Sequence, residues 1–143
     1  MTDFVTAINC IDGRIQSPIS RYLKNRFNAQ YVDMITCSGP VNVLSCSQNA
    51  EIIKHIRDSV EISICKHGSR WVAVVAHWDC AANDLPKQQQ LVQHEESLRT
   101  IQGWGVPAMT IGLWVNRYWT VEEIAPLEHS TGQQQRHESV SYY

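Results

Sequence analysis

The sequence predicts an α/β domain whose central sheet is mostly parallel, is flanked by helices on both faces and ends in an antiparallel hairpin strand. Two observations carry this prediction. Short apolar runs, typical of strands, alternate along the chain with longer segments whose apolar residues recur every three or four positions. Polar clusters follow two of the apolar runs directly, and folds of this class bind ligands at the carboxyl ends of their parallel strands.

Five segments are predicted to be strands. The run at 71–76, Trp-Val-Ala-Val-Val-Ala, is apolar on both faces, which is typical of a central parallel strand. The other predicted strands span 4–9, 31–36, 109–115 and 118–124. Asn116 and Arg117 are predicted to form the hairpin turn between the last two. If the first and third strands are neighbours in the sheet, the residues that follow them can meet.

Three segments have the periodicity of helices. The first is predicted to begin at Ser17-Pro18, with Ser as N-cap and Pro at the first helical position. The second keeps an apolar face over 52–64 and stops at a His-Gly pair. The third extends over about 85–102, with Asp84 as its predicted cap.

Length and composition indicate one globular domain with a tail. The chain has 143 residues, enough for a single hydrophobic core. Residues 1–125 are predicted to form the domain. Residues 126–143 are dominated by Gln, His, Ser and Glu, and we expect them to be disordered or lent to a neighbouring subunit.

Charge and hydropathy restrict the partners. The chain has twelve Lys and Arg residues and fourteen Asp and Glu residues, and the basic residues form no cluster. Nucleic acid is therefore not expected as a partner. No apolar run has the length of a membrane span, and the N-terminus has no basic flank or signal-peptide core. A cytoplasmic location is therefore predicted. Five cysteines, an odd number, argue against a disulfide framework in a chain of this size.

Three residues at two strand ends form a candidate zinc site. His77-x-x-Cys80 places two soft ligands on one turn after the third strand, and Cys10 ends the first strand. Zinc favours thiolate and imidazole ligands in tetrahedral geometry, and catalytic zinc sites keep one position open. Two thiolates and a neutral imidazole balance the charge of Zn²⁺. One zinc per chain is therefore predicted at Cys10, His77 and Cys80.

Asp12 and Arg14 are the candidate catalytic residues. On an extended segment, side chains two residues apart point the same way, so both are expected to share a face with Cys10. An aspartate paired with an arginine stays ionised and oriented, and can accept a proton or a hydrogen bond beside the metal. Released from Arg14, Asp12 can instead take the fourth zinc position, so water and Asp12 both remain candidates for it.

The pattern Cys10-x-Asp12-x-Arg14 followed by His77-x-x-Cys80, each after an apolar strand, resembles the β-class carbonic anhydrases over roughly residues 4–124. The resemblance implies an α/β fold, zinc at the three ligands and an aspartate–arginine dyad. It implies a zinc lyase in which zinc-bound hydroxide attacks carbon dioxide to give bicarbonate. It also implies a homodimer or higher homo-oligomer with the active site near the interface.

Two other functions stay open. A hydrolase of carbonyl sulfide or carbon disulfide would use the same zinc site on another small linear substrate, and a zinc-binding module would use it without catalysis. The family usually has a glycine pair after its His-x-x-Cys motif, where this chain has Ala81-Ala82, and residues 36–40 also depart from the family pattern. These differences leave the substrate open.

The remaining residues of interest are assigned structural roles. Cys46 and Cys65 are expected to be core residues, as is Cys37 near the end of the second strand. Asp79 is expected to cap the following helix, and Trp78 to pack against a subunit face.

Overall fold

The computed structural model describes residues 3–125, so the predicted tail at 126–143 lies outside the described residues. The strands are β1 (Phe4–Cys10), β2 (Tyr31–Cys37), β3 (Trp71–His77), β4 (Met109–Val115) and β5 (Val121–Glu123). The helices are α1 (Gln16–Phe27), α2 (Pro40–Cys46), α3 (Ala50–His67) and α4 (Lys87–Gly103). Each of the five predicted strands is found, and a short extra helix, α2, precedes the long second helix.

The five strands form one sheet in the order β2-β1-β3-β4-β5. The pairs β1–β2, β1–β3 and β3–β4 are parallel, and β4–β5 is antiparallel. This order confirms the predicted fold class. It also makes β1 and β3 direct neighbours, with Ile8 opposite Val74, so the two polar clusters lie at the same edge of the sheet.

Helices cover both faces of the sheet, as predicted. On one face α1 packs Ile19 and Leu23 against the strands. On the other face α2, α3 and α4 enclose a second cluster that includes Leu44, Ile56 and Ile101. The side chains of the central strands alternate between the two faces of the sheet, so they have apolar neighbours on both sides. This packing fixes the position along the sheet at which each strand ends.

Both predicted helix caps are wrong. α1 begins at Gln16 with Ile15 at the N-cap, and no side chain caps it, because the chain enters the helix from a turn at Asp12. α4 begins at Lys87 after the extended residue Pro86, again without a side-chain cap. In both cases backbone hydrogen bonds at the helix start, from Ile15 N to Asp12 O and from Gln90 N to Pro86 O, are present without a capping side chain.

Two smaller expectations also change. Cys46 and Cys65 are exposed, so the prediction that they are core residues is wrong. β5 is shorter than the strand predicted at 118–124, because the turn after β4 extends to Thr120, whose carbonyl accepts a hydrogen bond from Asn116 N at 3.0 Å. None of the helices within residues 3–125 combines the length and apolarity needed to cross a membrane.

A buried histidine connects α4 to the sheet. His94 is 1% exposed, and its Nε2 donates a hydrogen bond to the carbonyl of Val74 at 2.9 Å. The ring fills the space beside Gly112 of β4, where an added Cβ would lie 2.2 Å from His94 Cε1. Burial lowers the pKa of His94, because the charged form would lose its hydration.

We expect the stability of the protein to fall as the pH decreases below about 6.5, the ordinary pKa of histidine in an unfolded chain. The unfolded chain then takes up a proton that folded His94 resists, at a limit of about 1.4 kcal/mol per pH unit. Urea unfolding at pH 7.5 and 5.5 measures the effect. His94→Gln keeps a donor for Val74 without titrating, so it should lose less stability over this interval than the wild type. An equal loss in both proteins would contradict the assignment.

Candidate metal centre

Strand ends place the three predicted ligands side by side. Cys10 is the last residue of β1, His77 is the last residue of β3, and Cys80 lies in the turn that follows β3. That turn is held by the hydrogen bonds from Trp78 N to Val115 O at 2.9 Å and from Asn83 N to Cys80 O at 3.2 Å. All three ligand residues are buried.

The distances between these side chains match a shared tetrahedral ion. The Sγ atoms of Cys10 and Cys80 are 3.9 Å apart, and one atom from each of the three ligand residues lies within 4.8 Å of the others. Two sulfurs bound to one tetrahedral zinc at about 2.3 Å would be about 3.8 Å apart. A disulfide would instead need about 2.05 Å. The pair therefore has the spacing of two zinc ligands.

One ring nitrogen of His77 forms a hydrogen bond, and the other has no hydrogen-bond partner. Its Nδ1 donates to the carbonyl of Trp78 at 2.8 Å. Its Nε2 is the single buried side-chain nitrogen or oxygen within residues 3–125 that has no hydrogen-bond partner. Metal-binding histidines commonly donate one ring N–H to a carbonyl and bind the ion through the other nitrogen. An ion beside Nε2 would account for this unpaired atom.

The ionisation of the two cysteines also fits a cation. A hydrogen bond with Cys80 lowers the pKa of Cys10, and the same hydrogen bond, together with burial, raises the pKa of Cys80. The two shifts have opposite directions because two adjacent thiolates repel each other. A divalent cation would compensate both charges. The donor set and its charge thus fit zinc.

Asp12 and Arg14 form a two-pronged ion pair beside the ligands. Arg14 Nε donates to Asp12 Oδ1 at 3.0 Å, and Nη2 donates to Oδ2 at 2.7 Å. The hydrogen bonds from Arg14 lower the pKa of Asp12 to about 2. Asp12 Oδ2 lies 4.0 Å from His77 Nδ1, so the carboxylate borders the ligand cluster.

The geometry of this segment differs from the expected extended one. The chain turns after Cys10, and Asp12 Oδ1 accepts a hydrogen bond from the backbone N–H of Arg14 at 2.9 Å. This contact closes an Asx turn, in which an aspartate side chain binds the backbone two residues later. The turn, and not strand alternation, brings Asp12 and Arg14 together.

Comparison with known proteins identifies the family. A protein-family model described as "Putative carbonic anhydrase" matches residues 1–125. The chain belongs to the carbonic anhydrase family. Among curated proteins no sequence matches significantly.

Two solved β-carbonic anhydrases share the fold. Isoform I from the protozoan Trichomonas vaginalis has a TM-score of 0.56 and 14% identity, over 85% of this chain and 82% of that one. CafA from the fungal pathogen Aspergillus fumigatus has a TM-score of 0.54 and 11% identity, over 96% of this chain and 82% of that one. The chain is therefore a short, divergent member of this family with the β-carbonic anhydrase fold.

Gln16 braces the candidate site and was not predicted from the sequence. Its Nε2 donates to the carbonyls of both Cys10 and Asp12 at 2.7 Å, and its Oε1 accepts from Asn9 Nδ2 at 3.3 Å. One amide at the start of α1 thus ties down the segment that carries a ligand and the dyad carboxylate. A glutamine six residues after a cysteine has no recognisable motif, so only the fold shows this role.

The residues around Cys80 include the departures from the carbonic anhydrase pattern. Ala81 and Ala82 are both exposed. Ala82 lies against Gly39, where a Cβ on the glycine would be 3.3 Å from the Cβ of Ala82. Cys37 is partly buried opposite Cys10, and burial raises its pKa to about 11, with a further contribution from Cys10. Cys37 is therefore a protonated thiol on the strand next to Cys10.

Asp79 does not cap a helix, which corrects the expectation from the sequence. α4 begins eight residues later, at Lys87, and the Asp79 carboxylate accepts a hydrogen bond from Arg14 Nη1 at 3.2 Å. Trp78 is 45% exposed, with the guanidinium of Arg117 5.5 Å from its ring centre. Asp79 thus contacts the Asp12–Arg14 dyad through the guanidinium of Arg14.

Proposed function

We propose that this protein is a zinc-dependent carbonic anhydrase that converts carbon dioxide and water reversibly into bicarbonate and a proton. The observation that carries the proposal is the buried cluster of Cys10, His77 and Cys80, whose sulfurs have the spacing of two ligands on one tetrahedral zinc. Membership of the carbonic anhydrase family and the shared β-carbonic anhydrase fold support it.

Three side chains would hold one zinc ion, and a pair of charged residues would assist it. When bound, zinc supplies a Lewis acid that makes water nucleophilic near neutral pH. Asp12 remains an acceptor at any pH at which the protein works, because Arg14 holds its pKa at about 2. It can therefore accept a hydrogen bond from the reacting water and orient the oxygen lone pair towards the carbon of the substrate.

The position of the dyad supports access for a small substrate. The Asp12 side chain is 15% exposed and that of Arg14 is 47% exposed, whereas the ligands are buried. The dyad is therefore the more exposed part of the candidate site, and its carboxylate lies 4.0 Å from His77 Nδ1. We expect a small linear substrate to approach from this more exposed side.

A homodimer or higher oligomer and a cytoplasmic location remain predictions. Exposed apolar side chains next to the site, Ile11 at 62% and Tyr118 at 76%, favour a covered face at this edge of the sheet. Such a face agrees with the resemblance, which implies an active site near a subunit interface.

Metal analysis and two assays on one preparation test the proposed function. We expect about one zinc per chain and hydration of carbon dioxide, followed by stopped flow with a pH indicator. Release of sulfide from carbonyl sulfide or carbon disulfide without carbon dioxide hydration would replace the proposal with the hydrolase. Zinc at one per chain without either activity would leave a zinc-binding module, and absence of zinc would contradict the site itself.

A further inference from the structure

The Arg14 guanidinium is held on three sides. One edge, Nε and Nη2, donates to the two carboxylate oxygens of Asp12. The other edge donates to Asp79, from Nη1 to Oδ2 at 3.2 Å and from Nη2 to the backbone carbonyl at 3.1 Å. The face lies over the ring of Trp119, with the guanidinium carbon 4.6 Å from the ring centre. Four of the five N–H groups of the arginine therefore donate hydrogen bonds to Asp12 or Asp79.

Asp79 and Trp119 both have an unusual backbone. Four non-glycine residues within residues 3–125 have positive φ angles. Two of them, Asn28 and Ser47, follow the last residues of helices, where this conformation is common. The other two are Asp79, at 57°, and Trp119, at 61°. Non-glycine residues rarely adopt this conformation, and such residues concentrate at functional sites. Both of these contact the same guanidinium.

The turn that carries Trp119 is built around Asn116. Asn116 Oδ1 accepts hydrogen bonds from the backbone N–H groups of Tyr118 at 2.9 Å and Thr120 at 3.1 Å. Its Nδ2 donates to Glu122 Oε2 at 2.7 Å, and its carbonyl accepts from Trp119 N at 2.9 Å. These bonds keep the turn closed on both sides of Trp119 and fix the position of its ring over Arg14.

We propose that Asp79 and Trp119 are positioning residues, which hold Arg14 and, through it, the Asp12 carboxylate beside the metal ligands. This inference rests on the proposed function. An arginine that is 47% exposed has many accessible rotamers, and a single partner would leave its far edge free. With Asp79 on that edge and Trp119 on the face, the guanidinium keeps one orientation, so Asp12 is presented to the site in one orientation as well.

A structural role alone would not explain the arrangement. The Asp79 side chain is 64% exposed and pairs with a half-exposed arginine, and such surface ion pairs contribute little to folding stability. The positive φ angles of Asp79 and Trp119 work against stability. Removing the Asp79 carboxylate should therefore loosen Arg14 without unfolding the protein. Trp119 also packs against the hydrophobic core, so a substitution there has to keep an apolar side chain.

Three substitutions test the inference in the zinc-loaded protein. Asp79→Asn removes the charge but keeps the backbone carbonyl, and asparagine tolerates positive φ. Trp119→Leu removes the aromatic face, and Trp119→Phe restores one. The matched control is Asp84→Asn, because Asp84 is an exposed carboxylate on the same loop. The hydrogen-exchange rate of the Arg14 Nε–H, followed by ¹⁵N–¹H NMR, reports on the guanidinium independently of activity.

We expect faster Nε–H exchange in Asp79→Asn and Trp119→Leu, with kcat/KM for carbon dioxide reduced by about 10-fold at unchanged zinc content. Asp79→Asn should also keep the wild-type melting temperature. Trp119→Phe should recover most of both losses, and the control should match the wild type. Wild-type exchange in the two variants, or faster exchange with wild-type kcat/KM, would overturn the inference. A wild-type protein without hydration activity would count against the proposed function, whereas an active wild type with unaffected variants would count against this inference alone.

Discussion

Cys80→Ala is expected to lose its zinc and its catalysis together while keeping the fold. The sulfur of Cys80 lies 3.9 Å from that of Cys10 and is one of three ligands. Removing one of three ligands should cost about a third of the binding free energy, about 4 kcal/mol, or roughly 1,000-fold in zinc affinity. Metal analysis after dialysis, stopped-flow hydration and circular dichroism measure the three properties on one sample.

Cys65→Ala is the matched control for this substitution. Cys65 is an exposed cysteine on α3 and is not among the three residues of the candidate ligand cluster. The control should bind about one zinc per chain and hydrate carbon dioxide at the wild-type rate. A Cys80→Ala protein that retains its zinc and its activity would show that the proposed centre is wrong.

Asp12→Asn is expected to keep its zinc and to lose most of its activity. The substitution leaves the three ligands in place but removes the anionic acceptor that Arg14 holds at 2.7 Å. Positioned proton acceptors typically contribute between 100- and 10,000-fold to a rate, so we expect kcat/KM to fall by about 100-fold or more. Stopped-flow hydration measured alongside the zinc content separates this effect from metal loss.

Asp58→Asn controls for the loss of one carboxylate. Asp58 is an exposed residue of α3 whose partner is Lys54, four residues before it. Because exposed pairs of this kind contribute little to stability, the variant should behave as the wild type does. If Asp12→Asn hydrated carbon dioxide as fast as this control, the carboxylate would have no part in the reaction.

The fold could be predicted because each strand corresponds to a short, local run of apolar residues. The segment 71–76 is apolar on both faces, and that property alone indicates a central parallel strand. The ligand cluster followed from the same reasoning, since the ends of neighbouring parallel strands lie at one edge of a sheet. Cys10 and His77 therefore meet for a topological reason that requires no knowledge of side-chain packing.

The details around the dyad could not be predicted, because they depend on the path of the turns and, for Trp119, on a contact between distant segments. Ser17 and Asp84 have the residue types of helix caps, yet neighbouring turns decide where α1 and α4 begin. Gln16 braces two carbonyls through its side chain, and only the path of the turn brings them within reach. Trp119 reaches Arg14 from a turn more than 100 residues later through a positive φ angle, which no pattern in the sequence indicates.

The separation of the two cysteines has a consequence for assembly. Cys10 and Cys80 are 70 residues apart and meet when β3 pairs with β1. A bound ion would thus act as a reversible cross-link that encloses α1, β2, α2, α3 and β3 in one long loop. Such a link would stabilise the folded state, because the complete ligand set is formed there and not in the unfolded chain. During synthesis Cys10 lacks both of its partner ligands until residue 80 has been added and the third strand has docked. The complete set of three ligands therefore exists only once the sheet has assembled.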